Sequence, residues 1–154
     1  LDIDPKNPLA TIVADLADAA TIPDASFDCF ILTQTLQLIY EVHAAVTHAH
    51  RILKPGGALL VTVPSVSPVV DDEQLTDYWR FTPASCARLF RNVFGNGAVE
   101  VRTYGNVLTS IAFLTGMAHE ELSPNELEAH DPRYTMLIGV SAVKGKARSV
   151  PGPP

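Results

Sequence analysis

The sequence predicts an α/β fold with a mostly parallel sheet and helices on both of its faces. Nearly continuous apolar runs, typical of buried parallel strands, alternate along the chain with segments of helical periodicity. With 154 residues, 47% hydrophobic and 18% charged, the chain has the size of one domain and can bury a core. We expect one domain over residues 1–146, followed by a disordered proline-rich tail at residues 147–154.

Short apolar strands and one long helix are predicted in the first half of the chain. Residues 10–14 form a β-branched run, residues 27–33 a longer apolar run and residues 58–63 a third. Between residues 36 and 53, apolar residues recur at spacings of three and four, which predicts an amphipathic helix. The sequence Pro55-Gly56-Gly57 should end this helix.

Capping signals define the elements of the second half, which follows a loop at residues 64–77. Thr82-Pro83 should begin a helix that runs to about residue 93, and the chain then alternates as a strand over residues 98–104. An apolar helix is expected over residues 107–118. Ser123 and Glu126 have capping-box spacing for a short helix, and residues 134–143 predict the last strand.

Charge and composition exclude several classes of function. Eleven Lys and Arg residues against 17 Asp and Glu residues give a net charge of −6, which disfavours binding to nucleic acid or to an anionic membrane. No apolar run approaches the ~20 residues of a membrane-spanning helix, so we expect a cytoplasmic protein. The two cysteines, Cys29 and Cys86, lie far apart and predict free thiols rather than a disulfide or metal knuckle.

The histidines do not form a metal site by their spacing. His43, His48 and His50 lie on one predicted helix, but spacings of five, two and seven residues cannot bring their rings to one ion. We therefore predict no metal ligands.

Polar residues follow three of the predicted strands. Asp2 and Asp4 end a short strand at the beginning of the sequence, Asp15 follows the run at residues 10–14, and Thr33-Gln34 ends the run at residues 27–33. Ligands of such sheets bind outside the carboxyl ends of the strands, where carboxylates can accept hydrogen bonds from a ribose diol or an adenine amine. The alternative is that these carboxylates cap turns or helices.

Five segments in this order carry a family resemblance. They are Leu1-Asp2-Ile3-Asp4-Pro5, Val13-Ala14-Asp15-Leu16, Ile22-Pro23-Asp24-Ala25-Ser26-Phe27-Asp28, Thr35-Leu36-Gln37-Leu38-Ile39 and Arg51-Ile52-Leu53-Lys54-Pro55-Gly56-Gly57. Together they resemble the class I S-adenosylmethionine-dependent methyltransferases, and within them the methyltransferase-11-like domains. The resemblance spans about residues 1–144 and implies a Rossmann-like fold with S-adenosylmethionine as the cofactor.

The resemblance also implies roles for individual residues. Asp2 matches the acid that binds the ribose hydroxyls, and Asp4 is a weaker match for that role. Asp15 and Leu16 match the pair that contacts adenine, whereas Thr33 and Gln34 match the segment beside the methionine part of the cofactor. Where many members have Leu-Glu-His, this chain has Leu36-Gln37-Leu38, so a histidine near the substrate is absent.

The family's first strand and Gly-rich turn find no match in the chain, which contains no G-x-G-x-G. We therefore expect an inactive fragment of an enzyme that methylates a small-molecule acceptor, carrying the adenine and ribose half of the cofactor site. The alternative is a non-catalytic, methyltransferase-like interaction or scaffold protein. A nicotinamide-dependent oxidoreductase is disfavoured because the chain has no Tyr-x-x-x-Lys pair.

An aromatic cluster with one cation follows the strand at residues 58–63. Tyr78, Trp79, Arg80 and Phe81 lie where a substrate could dock; the alternative is that Trp79 and Phe81 anchor the helix that begins after them. Methyl transfer can be accelerated by proximity and in-line orientation alone, so no catalytic residue is assigned.

Overall fold

The computed structural model describes residues 1–70 and 76–146 and contains a four-stranded sheet in the order β1-β2-β4-β3. The strands are β1 (Phe27–Thr33), β2 (Leu53–Pro64), β3 (Val99–Tyr104) and β4 (Leu137–Val143). The α-helices are α1 (Val42–Ile52), α2 (Pro83–Phe94), α3 (Val107–Thr115) and α4 (Pro124–Glu128). Short 3-10 turns occupy Leu16–Asp18, Leu36–Leu38, Asn96–Ala98, His119–Glu121 and Pro132–Tyr134. The predicted tail at residues 147–154 lies outside the described residues.

The α/β class is confirmed, but the described sheet is mixed rather than mostly parallel. β1 and β2 are parallel, whereas β4 lies between β2 and β3 and is antiparallel to both. Val140 is the register partner of Val61 on one side and Val101 on the other. The apolar pattern of a strand shows that it is buried and does not show its direction, so the sequence could not reveal this reversal.

The helices α1 and α2 pack on the same face of the sheet and on each other. The residues of β2 and β4 that point to this face are almost completely buried, among them Leu59, Val63 and Ile138. On the opposite face, Ile31 is 63% exposed and Leu60 is 41% exposed. Within the described residues, helices cover one face of the sheet, which corrects the expectation of helices on both faces.

The junction between α1 and β2 is tighter than the sequence predicts. The helix ends at Ile52 and β2 begins at Leu53, while the next residues bulge: Phe27 pairs with Leu53, and Cys29 pairs with Ala58. Gly57 permits the bulge because a Cβ there would lie 2.9 Å from the carbonyl oxygen of Lys54. The helix therefore ends before the Pro-Gly-Gly sequence rather than at it.

The amino-terminal segment forms a bridge where a strand was expected at residues 10–14. Asp2 and Val13 form an isolated parallel bridge, in which the amide of Asp2 donates to the carbonyl of Ile12 at 3.0 Å. The strand prediction is wrong here because a β-branched run extends the backbone but does not supply a paired neighbour. Arg51 anchors the residues that follow, because its guanidinium donates to the carbonyls of Ala19 and Ile22 at 2.6 and 2.7 Å.

The predicted caps of the later helices are confirmed. Thr82 and Ser123 each accept a hydrogen bond from the backbone amide three residues ahead and form capping boxes, with a proline in the first turn. Strand β1 has the predicted limits, and α3 ends at Thr115, three residues before its expected end at residue 118. These local signals place the loops at the strand ends, where the candidate site lies.

Candidate functional site

Three of the predicted cofactor residues line one cavity. Asp2, Asp15 and Leu16 surround a space of about 270 Å³ that opens beside the 3-10 turn before α1. The remaining lining is mainly apolar and consists of Leu1, Ile3, Ala14, Thr35, Leu38 and Ile39. The bridge between Asp2 and Val13 brings the two acidic segments together, since it holds residues 1–3 beside residues 12–14.

Asp2 is held in position by its own turn. One carboxylate oxygen accepts from the amide of Asp4 at 2.9 Å, and the other accepts from the side-chain amide of Asn7. These hydrogen bonds, that of the Asp4 amide first, lower the pKa of Asp2, so the side chain is ionised at neutral pH. A carboxylate has about four lone-pair sites, so both oxygens can still accept from a ligand.

Asp4 lies beyond the bridge, and its carboxylate accepts from the amide of Lys6 at 2.8 Å. It lines neither the cavity of Asp2 nor the adjoining cavity of Tyr78 described below. Of the two acids in this segment, Asp2 is therefore the one that faces a cavity.

Asp15 caps the 3-10 turn at Leu16–Asp18 and also lines the cavity. Its Oδ1 accepts from the amide of Ala17 at 2.8 Å. Asp15 therefore caps a turn, as the alternative interpretation of the sequence proposed. Its carboxylate is exposed, and the second oxygen can accept a hydrogen bond from a ligand. Leu16 is only 4% exposed and packs in the core, so it can offer a ligand little more than its backbone and one edge of its side chain.

Thr33 and Gln34 lie apart from this cavity. Gln34 has φ of 48°, a left-handed conformation that turns the chain away from β1, and its side-chain amide donates to Oγ1 of Thr62 at 3.3 Å. Thr33 lines a shallow groove of about 360 Å³ on the exposed sheet face. Of this segment, Thr35 is the residue that reaches the cavity of Asp2 and Asp15.

Gln37 supports the turn beside the site, a role that the sequence analysis did not assign. It is 6% exposed, and its side-chain amide donates to the carbonyl of Gln34 at 2.9 Å, which supports the left-handed turn. Its Oε1 is buried without a hydrogen-bond partner among the described residues. A polar residue between two leucines in a short turn was the available signal for this role.

Tyr78 and Trp79 pack against the turn rather than against the end of β2. The carbonyl of Gln37 accepts from both of their amides, and Nε1 of Trp79 donates to the carbonyl of Ile39 at 3.1 Å. The ring of Tyr40 lies 5.3 Å from that of Tyr78 and 5.7 Å from that of Trp79. Tyr78 lines a second cavity of about 260 Å³, which shares Asp15 with the first.

Arg80 is engaged by its own loop. Its guanidinium forms a two-point ion pair with Asp77 at 2.6 and 2.8 Å and donates to the carbonyls of Ser67 and Pro68. These contacts, above all that with Asp77, raise the pKa of Arg80 and lower the pKa of Asp77. The guanidinium thus links Ser67 and Pro68, at the start of the loop after β2, to Asp77.

In residues 1–70 and 76–146 no three His, Cys, Asp or Glu side chains gather as metal ligands. No helix in the same part of the chain has the length and hydropathy to cross a membrane.

Residues 2–61 match the methyltransferase domain family model. The amino-terminal part of the chain therefore resembles the methyltransferase domain family, and the chain shares its fold with solved S-adenosylmethionine-dependent methyltransferases.

Curated relatives match part of the chain. The ubiquinone/menaquinone biosynthesis C-methyltransferase UbiE of Citrobacter koseri is 38% identical over 56 residues, which cover 34% of this chain and 22% of that protein. The chain thus spans less than a quarter of the length of the curated relatives it matches.

Solved structures share the fold at low sequence identity. The [4+2]-cyclase SpnF is 17% identical with a TM-score of 0.57, and the match covers 88% of this chain and 56% of that one. Phosphoethanolamine N-methyltransferase 2 of Haemonchus contortus, in complex with S-adenosylhomocysteine, is 16% identical with a TM-score of 0.54, covering 87% and 37%. Because one neighbour is named a cyclase, the fold alone does not define the reaction.

Proposed function

We propose that the cavity lined by Asp2 and Asp15 binds the nucleoside part of S-adenosylmethionine, and that the protein serves methyl transfer to a small acceptor. The observation that carries this proposal is that two carboxylates line one cavity whose other lining residues are mainly apolar. The ionised Asp2 suits a ribose diol, Asp15 suits the exocyclic amine of adenine, and the side chains of Leu38 and Ile39 suit the faces of a purine.

The proposal is limited to the nucleoside half of the cofactor by the chemistry of the lining. Neither this cavity nor the adjoining cavity of Tyr78 is lined by a lysine or an arginine that could pair with the methionine carboxylate. Thr33 and Gln34 remain our candidates for the methionine side because they end β1, the strand next to the turn that carries Thr35.

The reaction requires little acid–base chemistry from the protein. When the cofactor is bound, its sulfonium supplies a methyl group: the acceptor's lone pair forms the new bond to carbon, and sulfur keeps the electrons of the broken bond. Any proton on the acceptor atom passes to solvent. The chain's contribution is to bind the nucleoside and to orient the two reactants.

Calorimetric titration of S-adenosylhomocysteine into wild-type and Asp15→Asn protein tests the proposal. Asparagine keeps the oxygen that caps Ala17 and removes the charge that would face the adenine amine, so we expect affinity to fall about tenfold. Asp18→Asn is the matched control, because Asp18 is exposed on the same turn and lines neither cavity. Equal affinities of the Asp15 and Asp18 variants would contradict the adenine assignment.

A folded wild-type chain that takes up no S-adenosylhomocysteine would favour the alternative, a methyltransferase-like interaction protein. Circular dichroism of the same samples establishes that the chain is folded.

A further inference from the structure

A third cavity, of about 350 Å³, lies between the ends of β2 and β4 and helix α3. Gln34 lines one side of it, at the end of β1, and Phe113 of α3 lines another. The other lining residues are Thr62, Pro64, Val66, Ser67, Met136 and Leu137. Its volume is within the range of small-molecule sites, and Gln34 places it beside the proposed methionine side of the cofactor.

Among the residues that the structure describes, no charged side chain lines this cavity. The guanidinium of Arg80 bonds to the carbonyl of Ser67 but is already paired with Asp77, so it offers no free positive charge. A carboxylate or phosphate on a ligand would lose part of its hydration there without gaining a charged partner among the described lining residues. The cavity therefore selects against charged ligands.

The apolar character continues along α3. The chain from Gly105 to Ala118 carries no charged residue, although most large side chains of α3 are exposed. Phe113 and Met136 line this cavity and also a neighbouring one of about 270 Å³ between α3 and α4. Phe113 and Met136 thus form an apolar wall between the two spaces.

Backbone contacts hold this wall in place. The carbonyl of Met136 accepts from the amides of Ser65 and Val66 at 2.9 and 3.2 Å, and its amide donates to the carbonyl of Tyr104 at 2.9 Å. Met136 thereby joins the loop after β2 to the ends of β3 and β4. A cavity walled by such a junction is preformed and need not be created by the ligand.

Resting on the proposed function, we propose that this cavity binds the methyl acceptor and that the acceptor is an uncharged, largely apolar molecule. Its reacting atom lies on the Gln34 side, where its lone pair takes the methyl carbon while the cofactor sulfur keeps the bonding pair. None of the described residues that line the cavity is titratable, so the proton released by the acceptor goes to solvent. The remaining apolar part of the acceptor lies against Phe113 and Met136.

Two fluorescent probes that differ by one sulfonate test this inference. N-phenyl-1-naphthylamine is neutral, whereas 8-anilino-1-naphthalenesulfonate is the same ring system with a negative charge. We expect the wild-type chain to bind the neutral probe at least about tenfold more tightly than the charged one. Charged-probe binding of equal strength would overturn the inference.

A pair of neighbouring substitutions assigns the binding to this cavity. Phe113→Glu places a charge in its wall, and we expect the affinity for the neutral probe to fall about tenfold. Leu114→Glu is the control, since Leu114 is as exposed as Phe113 (51% and 49%) and lines neither cavity. Equal losses in the two variants, or none in the Phe113 variant, would overturn the inference, because the probe would then bind elsewhere on α3 or on another surface.

Titration of S-adenosylhomocysteine into the same variants separates this inference from the proposed function. Cofactor-product binding that survives Phe113→Glu, together with lost probe binding, supports both proposals. Binding of S-adenosylhomocysteine without selective binding of the neutral probe overturns only the acceptor class. Selective probe binding without any S-adenosylhomocysteine binding overturns the proposed function and, with it, the role of the cavity as an acceptor site.

Discussion

The side-chain amide of Asn106 donates to the carbonyl oxygen of Ala129 at 2.7 Å and so ties the start of α3 to the end of α4. The same amide donates to the carbonyl of Glu126 at 2.9 Å, while Oδ1 accepts from the amide of Thr109 at 3.0 Å. Asn106 is buried, and these side-chain hydrogen bonds all go to backbone groups. One side chain therefore both caps α3 and holds the α4 segment that completes the wall of the cavity between the two helices.

Asn106→Asp should destabilise the protein by about 1–3 kcal/mol. The aspartate keeps the oxygen that caps Thr109 but places a second oxygen against the carbonyls of Glu126 and Ala129, which lose their donor. Urea denaturation gives the change in the free energy of unfolding. Asn96→Asp, at an exposed position, is the control, and equal losses in the two variants would show that the buried contacts contribute nothing.

Gly57→Ala should cost about 1–3 kcal/mol of stability. A Cβ at this position would lie 2.9 Å from the carbonyl oxygen of Lys54 and 3.0 Å from that of Asp28, and both are backbone atoms that cannot rotate away. At Gly97 a Cβ would meet no atom within 4 Å, so Gly97→Ala should leave stability unchanged or slightly higher. Thermal and urea unfolding of the two variants compare the positions, and a Gly57 variant as stable as the Gly97 variant would refute the close approach.

The two thiols should react at very different rates. Cys29 is exposed, whereas Cys86 is buried in α2, and burial raises the pKa of its thiol to about 12. At about pH 8 only about one Cys86 thiol in 10⁴ is ionised, so a disulfide reagent such as DTNB should label Cys29 quickly and Cys86 only as the chain opens. Cys29→Ser should abolish the fast phase and leave the slow one. A rapid phase that persists in this variant would place Cys86 at the surface.

His50 should make stability fall as the pH drops below about 6.5. It packs edge-on against Phe94 with ring centroids 4.7 Å apart, and its pKa is lowered, chiefly by burial and further by the charge of Lys144. Because the folded pKa lies below the unfolded one, the unfolded chain binds the proton more readily. This contribution is complete above the unfolded pKa and is lost progressively as pH falls toward the folded pKa.

Urea unfolding at about pH 7.5 and at about pH 5.5 measures this effect. His50→Gln should lose less stability than wild type over that range, whereas His43→Gln, at an exposed position of the same helix, should behave like wild type. Identical pH dependence in wild type and the His50 variant would show that this ring does not titrate differently on folding.

Local sequence signals predicted most of the helices and strands. The remaining features depend on pairing between residues distant in sequence. Thr82 and Ser123 marked helix starts because capping depends on residues three positions apart, which a sequence displays directly. The run at residues 10–14 became a single bridge because strand formation depends on a partner distant in sequence. The direction of β4 and the exposure of Ile31 likewise depend on neighbouring elements, which the apolar pattern of a strand does not identify.

For the candidate site, the sequence indicated the acidic residues but not the residue that supports the neighbouring turn. Asp2, Asp15 and Leu16 meet at one cavity as the resemblance implied, whereas Thr33 and Gln34 face other surfaces. Gln37 was not assigned because its importance comes from burial and from the bond to the carbonyl of Gln34, neither of which a residue type reveals. The roles of Asp2, Asp15, Leu16, Thr33 and Gln34 in cofactor binding remain predictions.

Lys144 links the carboxyl-terminal part of the chain to the junction between α1 and β2. Its amino group donates to the carbonyls of Arg51 and Leu53 at 3.2 and 2.7 Å, across the point where α1 passes into β2. Digestion from the carboxyl end that removes this lysine should therefore lower the stability of the remaining chain. Beyond that residue each further cut would loosen a helix and a strand that lie some ninety residues earlier in the chain.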